Sequence, residues 1–303
     1  MSATVTSRVS SVLRKGLFVD KVAIVTGGGT GIGKAITQEL LYLGCKVVIA
    51  SRKIDRLSKS GEEMKQNPYR HSKSDLSYMQ CNIRKEEEVK SLMDYTIEKY
   101  GRIDYLVNNG GGQFPAHIED ITLKGWNAVI ETNLTGTYLC SREAYRTWME
   151  KNRGAIVNII ADNFRGMPIM GHSGAARAGV ENITKTMALE WAQYGIRVNA
   201  VAPGTVYSET AAANYGDLDV FGQAVEQIPA KRLGETQEIS GPVCFLLSPA
   251  ASFISGITLR IDAASSLYMH PNFYISDHKN LPPYKWSDDP VEDDTSSAPK
   301  SKL

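Results

Sequence analysis

Two kinds of segment alternate along the chain. Short apolar runs rich in β-branched residues recur at Val22–Val25, Lys46–Ile49, Tyr78–Ile83, Tyr105–Val107, Ala155–Ile160, Arg197–Val201 and Thr258–Ile261. Amphipathic stretches long enough for helices lie between them. Within each run the apolar residues are nearly continuous rather than alternating with polar ones. That suits strands covered on both faces, because a strand with one wet face alternates. Strand–helix alternation at this spacing predicts an α/β fold. The expected architecture is a Rossmann-type, doubly wound parallel sheet of seven strands with about six crossover helices on its two faces. Right-handed crossovers put the topological switch point at the first strand, where such sheets bind ligands. The pattern divides the chain into an N-terminal arm over 1–19, one domain over 20–270, and a mobile tail over 271–303 rich in Pro, Asp, Ser and Lys.

Composition narrows the functions open to this fold. A net charge of +1 over 303 residues favours neither nucleic acid nor an anionic membrane as partner. No apolar run approaches the ~18 residues of a membrane span. Cys45, Cys81, Cys140 and Cys244 are far apart and form no Cys-x-x-Cys, which fits small core residues in a reducing compartment. The five histidines show no metal-ligand spacing, so no metal is expected. The arm is Ser/Thr-rich, free of acids and carries Arg8, Arg14 and Lys15; a solvated arm is preferred to a mitochondrial presequence.

The first strand leads into Thr26-Gly27-Gly28-Gly29-Thr30-Gly31-Ile32-Gly33. Glycines let the backbone turn sharply and approach a pyrophosphate, while the helix starting near Gly31 presents unpaired N–H groups and its positive dipole end. Thr26, Gly27, Gly29, Thr30, Gly31, Ile32 and Gly33 are the candidate phosphate-binding residues. The second strand ends in Ser51, Arg52 and Lys53. An NAD site wants an acid there for the ribose 2′-hydroxyl; a hydroxyl and two cations suit a 2′-phosphate instead. The expected cofactor is therefore NADPH.

Other segments carry a family resemblance. Asn82-Ile83, Asn108-Asn109-Gly110-Gly111, Glu131-Thr132-Asn133-Leu134 and Asn199-Ala-Val-Ala-Pro-Gly204, with the glycine-rich turn, resemble the short-chain dehydrogenase/reductase family over about residues 20–265. The resemblance implies adenine contacts at Asn82 and Ile83, cofactor contacts at Asn109, Gly110, Gly111, Pro203, Gly204 and Val206, and an active-site asparagine at Asn133. It also implies a homotetramer. The family's closing Asp-Gly-Gly reads Asp262-Ala263-Ala264 here.

The family's Tyr-x-x-x-Lys is missing. Aligning Ala178-Gly179-Val180 sets Ser173 at the tyrosine position and Arg177 at the lysine position, in Gly171-His172-Ser173-Gly174-Ala175-Ala176-Arg177. Reducing a ketone needs a proton donor at the new alkoxide. Serine is a poor one and arginine does not titrate. Reducing a C=C bond conjugated to a thioester asks for something else: hydrogen-bond donors aimed at the enolate oxygen. The segments Asn109–Phe114, His172–Arg177 and Ser248–Ile254 resemble the peroxisomal trans-2-enoyl-CoA reductases of that family. The implied function is NADPH-dependent reduction of the C2=C3 bond of trans-2-enoyl-CoA in fatty acid metabolism. A 2,4-dienoyl-CoA reductase, a 3-ketoacyl reductase and a catalytically lapsed NADPH-binding scaffold remain as alternatives.

Roles follow from that reading. Arg177 is expected on the ribose hydroxyls, Ser173 on the thioester oxygen, and Asn133 on a proton-relaying water. His172 is the nearest ordinary acid; Asp162 and Tyr207 are reserves. Residues 166–171 and 206–227 are expected to line the acyl channel, the latter as a mobile lid. Lys231 and Arg232 are candidates for the CoA phosphates, with a solvated basic pair preferred. Ser301-Lys302-Leu303 matches the tripeptide read by the peroxisomal import receptor, so the peroxisome is the expected location.

Overall fold

The computed structural model describes residues 13–215, 220–268 and 273–286. Seven strands form one parallel sheet in the order β3-β2-β1-β4-β5-β6-β7. They are β1 Val22–Thr26, β2 Lys46–Ser51, β3 Asp75–Gln80, β4 Tyr105–Asn108, β5 Gly154–Ile159, β6 Ile196–Pro203 and β7 Thr258–Ile261. The order reverses between β1 and β4, and that crevice is the switch point expected. Six of the apolar runs mark their strands to within a residue or two. The third is corrected: β3 begins and ends three residues before the expected Tyr78–Ile83. As an edge strand pairing only with β2, β3 carries polar Asp75 and Ser77. Cys81, Asn82 and Ile83 follow it and turn towards the crevice.

Both faces of the sheet are covered, which is why the runs are continuous. Along β1, Ala23 and Val25 enter one core with Ile36, Leu40, Val47, Ile49 and Val243. The intervening Ile24 enters the other, with Val48, Leu92, Met93, Leu106, Ile156 and Val198. Each such side chain contributes about 1.5–3 kcal/mol by leaving water. The first core is closed by α1 (Gly31–Tyr42) and α10 (Thr236–Leu247), with α2 (Ile54–Lys65) beside β3. The second is closed by α3 (Glu86–Tyr100), a segmented helix over residues 123–152, and α7 (Gly171–Glu190). The segmented helix comprises α4 (Leu123–Ile130), a π turn at Glu131–Thr135, α5 (Gly136–Ala144), a second π turn at Tyr145–Met149, and α6 (Glu150–Asn152). Two short helices, α8 (Glu209–Tyr215) and α9 (Val220–Glu226), occupy the expected lid, whose residues 216–219 lie outside the described ones.

The domain reaches past both expected boundaries. Phe18, assigned to the arm, is fully buried edge-on against Tyr105 at 5.2 Å. Part of the expected mobile tail is also corrected: residues 273–286 lie against the domain and bury Trp286 in the first core. Arg232 holds them, donating to the carbonyls of Leu281 at 2.7 Å and Pro282 at 3.2 Å. The N–H of Tyr284 donates to Glu238 at 3.3 Å. Composition alone read this segment as solvated because its polar backbone is satisfied by partners some fifty residues away, a pairing that composition does not encode. Ser301-Lys302-Leu303 lies outside the described residues.

Candidate active site

The glycine-rich turn is shaped by contacts that leave no room for side chains. Gly27 and Gly31 sit at φ +67° and +51°, the left-handed region that favours glycine. A Cβ on Gly33 would fall on the Gly27 carbonyl oxygen, so α1 packs directly on the turn. Asn109 and Thr26 stitch the two sides of the crevice together. The Thr26 hydroxyl oxygen accepts from the N–H groups of Asn109 (3.0 Å) and Gly110 (2.9 Å), while the Asn109 amide donates back to the Thr26 carbonyl at 3.1 Å.

Beside this turn opens a cavity of about 510 Å³. Its wall brings together Gly27, Gly29, Thr30, Ser51, Arg52, Lys53, Asn82, Ile83, Asn109, Gly110 and Gly111, eleven of the residues singled out from sequence. The charges around it are one-sided. Arg52, Lys53, Arg56 and Arg84 all line it, and no carboxylate does. Arg84 is paired with Glu131. The Arg56 guanidinium donates to a neutral group, the Thr210 hydroxyl on α8, at 2.8 Å. Arg56, which the sequence analysis did not single out, sits in the first turn of α2, just past the Ser51-Arg52-Lys53 run that leads into that helix. A glycine cradle, a helix start without acids in its first turn, and a cationic rim fit a phosphorylated dinucleotide. Arg52, Lys53 and Arg56 would hold a ribose phosphate.

The reaction end departs from expectation. Arg177 lies behind Gly111 and off the cavity wall, and its guanidinium donates to the Ile159 carbonyl at 2.7 Å. A Cβ on Gly111 would meet both Arg177 and the Asn133 carbonyl oxygen Oδ1 within 3 Å, so the three groups converge. Asn133 is in the first π turn and buried. Its side chain braces the Gly112 backbone, accepting from Gly112 N–H at 3.2 Å and donating to the Gly112 carbonyl at 2.7 Å and the Val129 carbonyl at 2.9 Å. Pro203 ends β6 and Gly204 and Val206 follow it, on the far side of β5 and outside the cavity wall, with Gly204 packed on Asp262.

Ser173 is corrected as well. It is fully buried, and its hydroxyl donates to Gln113 Oε1 at 2.6 Å. Neither Ser173 nor His172 reaches the cavity wall, because Gln113 and Phe114 stand in front of them. The Phe114 ring meets the His172 ring edge-to-face, with centroids 4.5 Å apart and planes at 85°. His172 is fully buried. Its Nδ1 accepts from the Ser173 N–H at 3.0 Å, which leaves the ring proton on Nε2. That Nε2 is buried without a partner, an arrangement costing about 1–3 kcal/mol.

The remaining candidates have other occupations. Asp162 accepts from the Phe164 N–H and lies 3.7 Å from Arg260. Tyr207 is about half exposed and packs on Phe221. Lys231 and Arg232, proposed for CoA phosphates or as a solvated pair, are neither. The Lys231 ammonium is buried against Glu226, and Arg232 makes two 2.7 Å bonds to Glu238. Among the described residues no cluster could hold a metal ion and no helix is long and apolar enough to cross a membrane.

Known proteins share this arrangement. A family model described as enoyl-(acyl carrier protein) reductase matches residues 27–264. The chain is 34% identical over 255 residues to a probable 2,4-dienoyl-CoA reductase of Bacillus subtilis, covering 83% of this chain and 98% of the relative. It is 32% identical over 253 residues to a peroxisomal 2,4-dienoyl-CoA reductase of Danio rerio, covering 83% of each. A solved structure described as a citronellol catabolism dehydrogenase of Pseudomonas aeruginosa PAO1 is similar at a TM-score of 0.75 and 44% identity, over 85% of this chain and 99% of that one. The chain belongs to the short-chain dehydrogenase/reductase family, in the part that the enoyl-(acyl carrier protein) reductase model describes, and is a nicotinamide-dependent oxidoreductase.

Proposed function

We propose that the protein reduces the C2=C3 bond of a trans-2-enoyl-CoA with NADPH. The observation that carries the reading is the reaction end of the crevice. A serine stands in the family's tyrosine position with its hydroxyl already given to Gln113, and an arginine stands in the lysine position. Neither supplies the proton that a ketone demands. Conjugated C=C reduction needs donors for a charge on the thioester oxygen, and α-carbon protonation can follow from water. The bound cofactor would supply the hydride. The chain's own part is to grip its phosphates with the glycine turn and the cations Arg52, Lys53 and Arg56, and to set positive charge beside Gly111 with Arg177.

A 2,4-dienoyl-CoA is the second reading, favoured by the names that the Bacillus subtilis and Danio rerio relatives carry. The test is one panel: oxidation of NADPH and of NADH with trans-2-enoyl-, 2,4-dienoyl- and 3-ketoacyl-CoA, with products identified by mass. A saturated acyl-CoA as the product of fastest turnover is expected. Turnover of the ketoacyl ester alone would overturn the reading, and oxidation of NADPH with none of them would leave a binding protein. The peroxisome is the proposed location, supported by Ser301-Lys302-Leu303 and by the peroxisomal relative. Deleting the tripeptide should leave an active protein in the cytosol. A homotetramer is the proposed assembly; exposed Tyr138 on α5 and Leu189 on α7 supply apolar surface on the helices expected to pack, and size-exclusion chromatography tests it.

A further inference from the structure

We propose that His172 is the group that stabilises the substrate's thioester oxygen, through its Nε2–H, and that Phe114 covers this donor until substrate arrives. The inference rests on the enoyl-CoA reading and names a residue for it. Three observations converge. First, the ring of His172 is oriented. Nδ1 accepts the Ser173 N–H at the start of α7, so Nε2 carries the hydrogen. Second, that Nε2 is buried with no acceptor, although the residue is fully enclosed. Buried donors are almost always paired, so one left open is a place where an acceptor is missing. Third, what covers it is movable. Phe114 is 39% exposed, lines the cavity on one side and touches the His172 ring on the other.

The cover follows a glycine run that Thr26 and Asn133 brace at Gly110 and Gly112, so motion falls to the residues beyond it. Gly110, Gly111 and Gly112 precede Gln113 and Phe114, and a Cβ on Gly112 would meet nothing within 4 Å. Gln113 accepts the Ser173 hydroxyl, and the Phe114 ring tip rests where Gly125 leaves room for it. An apolar acyl chain entering beside Phe114 replaces the ring's contacts in kind. The thioester oxygen then takes the position over Nε2 that the ring had held. His172 transfers no atom in this role; Nε2 keeps its hydrogen and supports the negative charge that forms on the oxygen. Ser173 positions the cover rather than the substrate.

Two kinds of measurement test this on the full-length protein. The first is kinetic, with the acyl-CoA ester that the wild type reduces. His172→Phe should lower kcat ten- to a thousand-fold, as loss of one oxyanion donor does. Its KM and its cofactor affinity should stay within about threefold, whereas His172→Gln, which keeps an N–H donor, should recover at least tenfold of the lost kcat. The second needs no variant to be active. In protein labelled with 15N-histidine, which has five histidines, the His172 Nε2–H signal is identified by its loss in His172→Gln. Adding NADP+ and saturated acyl-CoA should shift that signal; NADP+ alone should not. Wild-type kcat in His172→Phe, or an Nε2–H signal unmoved by acyl-CoA, overturns the proposal. If His172→Phe does not fold, the labelled wild type decides. A wild type inert towards every acyl-CoA ester overturns the functional reading itself, a different result from an active enzyme indifferent to position 172.

Discussion

Ser173 and Arg177 lie one helical turn apart, yet the structure gives them unlike surroundings: a hydroxyl turned to Gln113 and a guanidinium turned to the Ile159 carbonyl. Ser173→Ala is therefore expected to cost the hydrogen bond that holds the cover, about 1 kcal/mol of stability, and less than tenfold in turnover. Steady-state kinetics with a denaturation curve checks both numbers together. Arg52 faces an open cationic rim, so Arg52→Ala should raise KM for NADPH about ten- to a hundred-fold and leave NADH unchanged, as loss of a charge-assisted phosphate contact does. An unchanged NADPH/NADH ratio would give the phosphate to Arg56. The closing Asp262-Ala263-Ala264 supplies a third case. Ala263 and Ala264 sit at φ +49° and +64°, where L-residues are strained by roughly 1 kcal/mol each. Ala264→Gly should raise the denaturant midpoint without changing the slope. At this scale the sequence disclosed what depends on neighbours in the chain: the glycines, the Ser51-Arg52-Lys53 run, the absent tyrosine. The direction of the Ser173 hydroxyl was hidden, because it is fixed by a residue sixty positions away.

Elements were legible where burial on both faces left an unbroken apolar run, and illegible where it did not. β3 lies at an edge, and residues 273–286 make no element at all. One carboxylate ties that second segment to α10, both directly and through Arg232. Burial pushes the Glu238 carboxyl up, but hydrogen bonds from Arg232, Glu235 N–H and Tyr284 N–H outweigh it and hold the group below its usual value. A depressed carboxylate contributes stability above its unfolded value, 4.5 here, and loses it as pH falls through the folded value. Residues 273–286 should therefore stay docked at neutral pH and detach in acid below that range. Glu238→Gln should expose Lys279 and Lys285 to trypsin at pH 7, while the wild type resists there. Cleavage at equal rates in both would show that Trp286, not Glu238, does the holding. The π turn around Asn133 was also beyond reach of periodicity, since a single widened turn is too short to establish a period of its own.

For the molecule as a whole, burial accounts for the chemistry that the cysteines do not show. All four are free and buried; burial pushes Cys81 up to about 12 and raises Cys45, Cys140 and Cys244 well above the ordinary thiol value. A thiol-reactive dye should titrate none of them in the native protein and all four in denaturant. The stitch between Thr26 and Asn109 bears on how the molecule assembles. These residues are 83 positions apart, and β2, α2, β3 and α3 must be threaded between them before the crevice exists. Helices form within their own stretch of chain, but a contact of that separation waits for the closure of a long loop. In a refolding time course, helical signal should therefore return well before the capacity to quench or capture a nicotinamide dinucleotide. A partly folded chain would be rich in helix and blind to its cofactor, so dinucleotide added early can speed nothing and can only trap what has already closed.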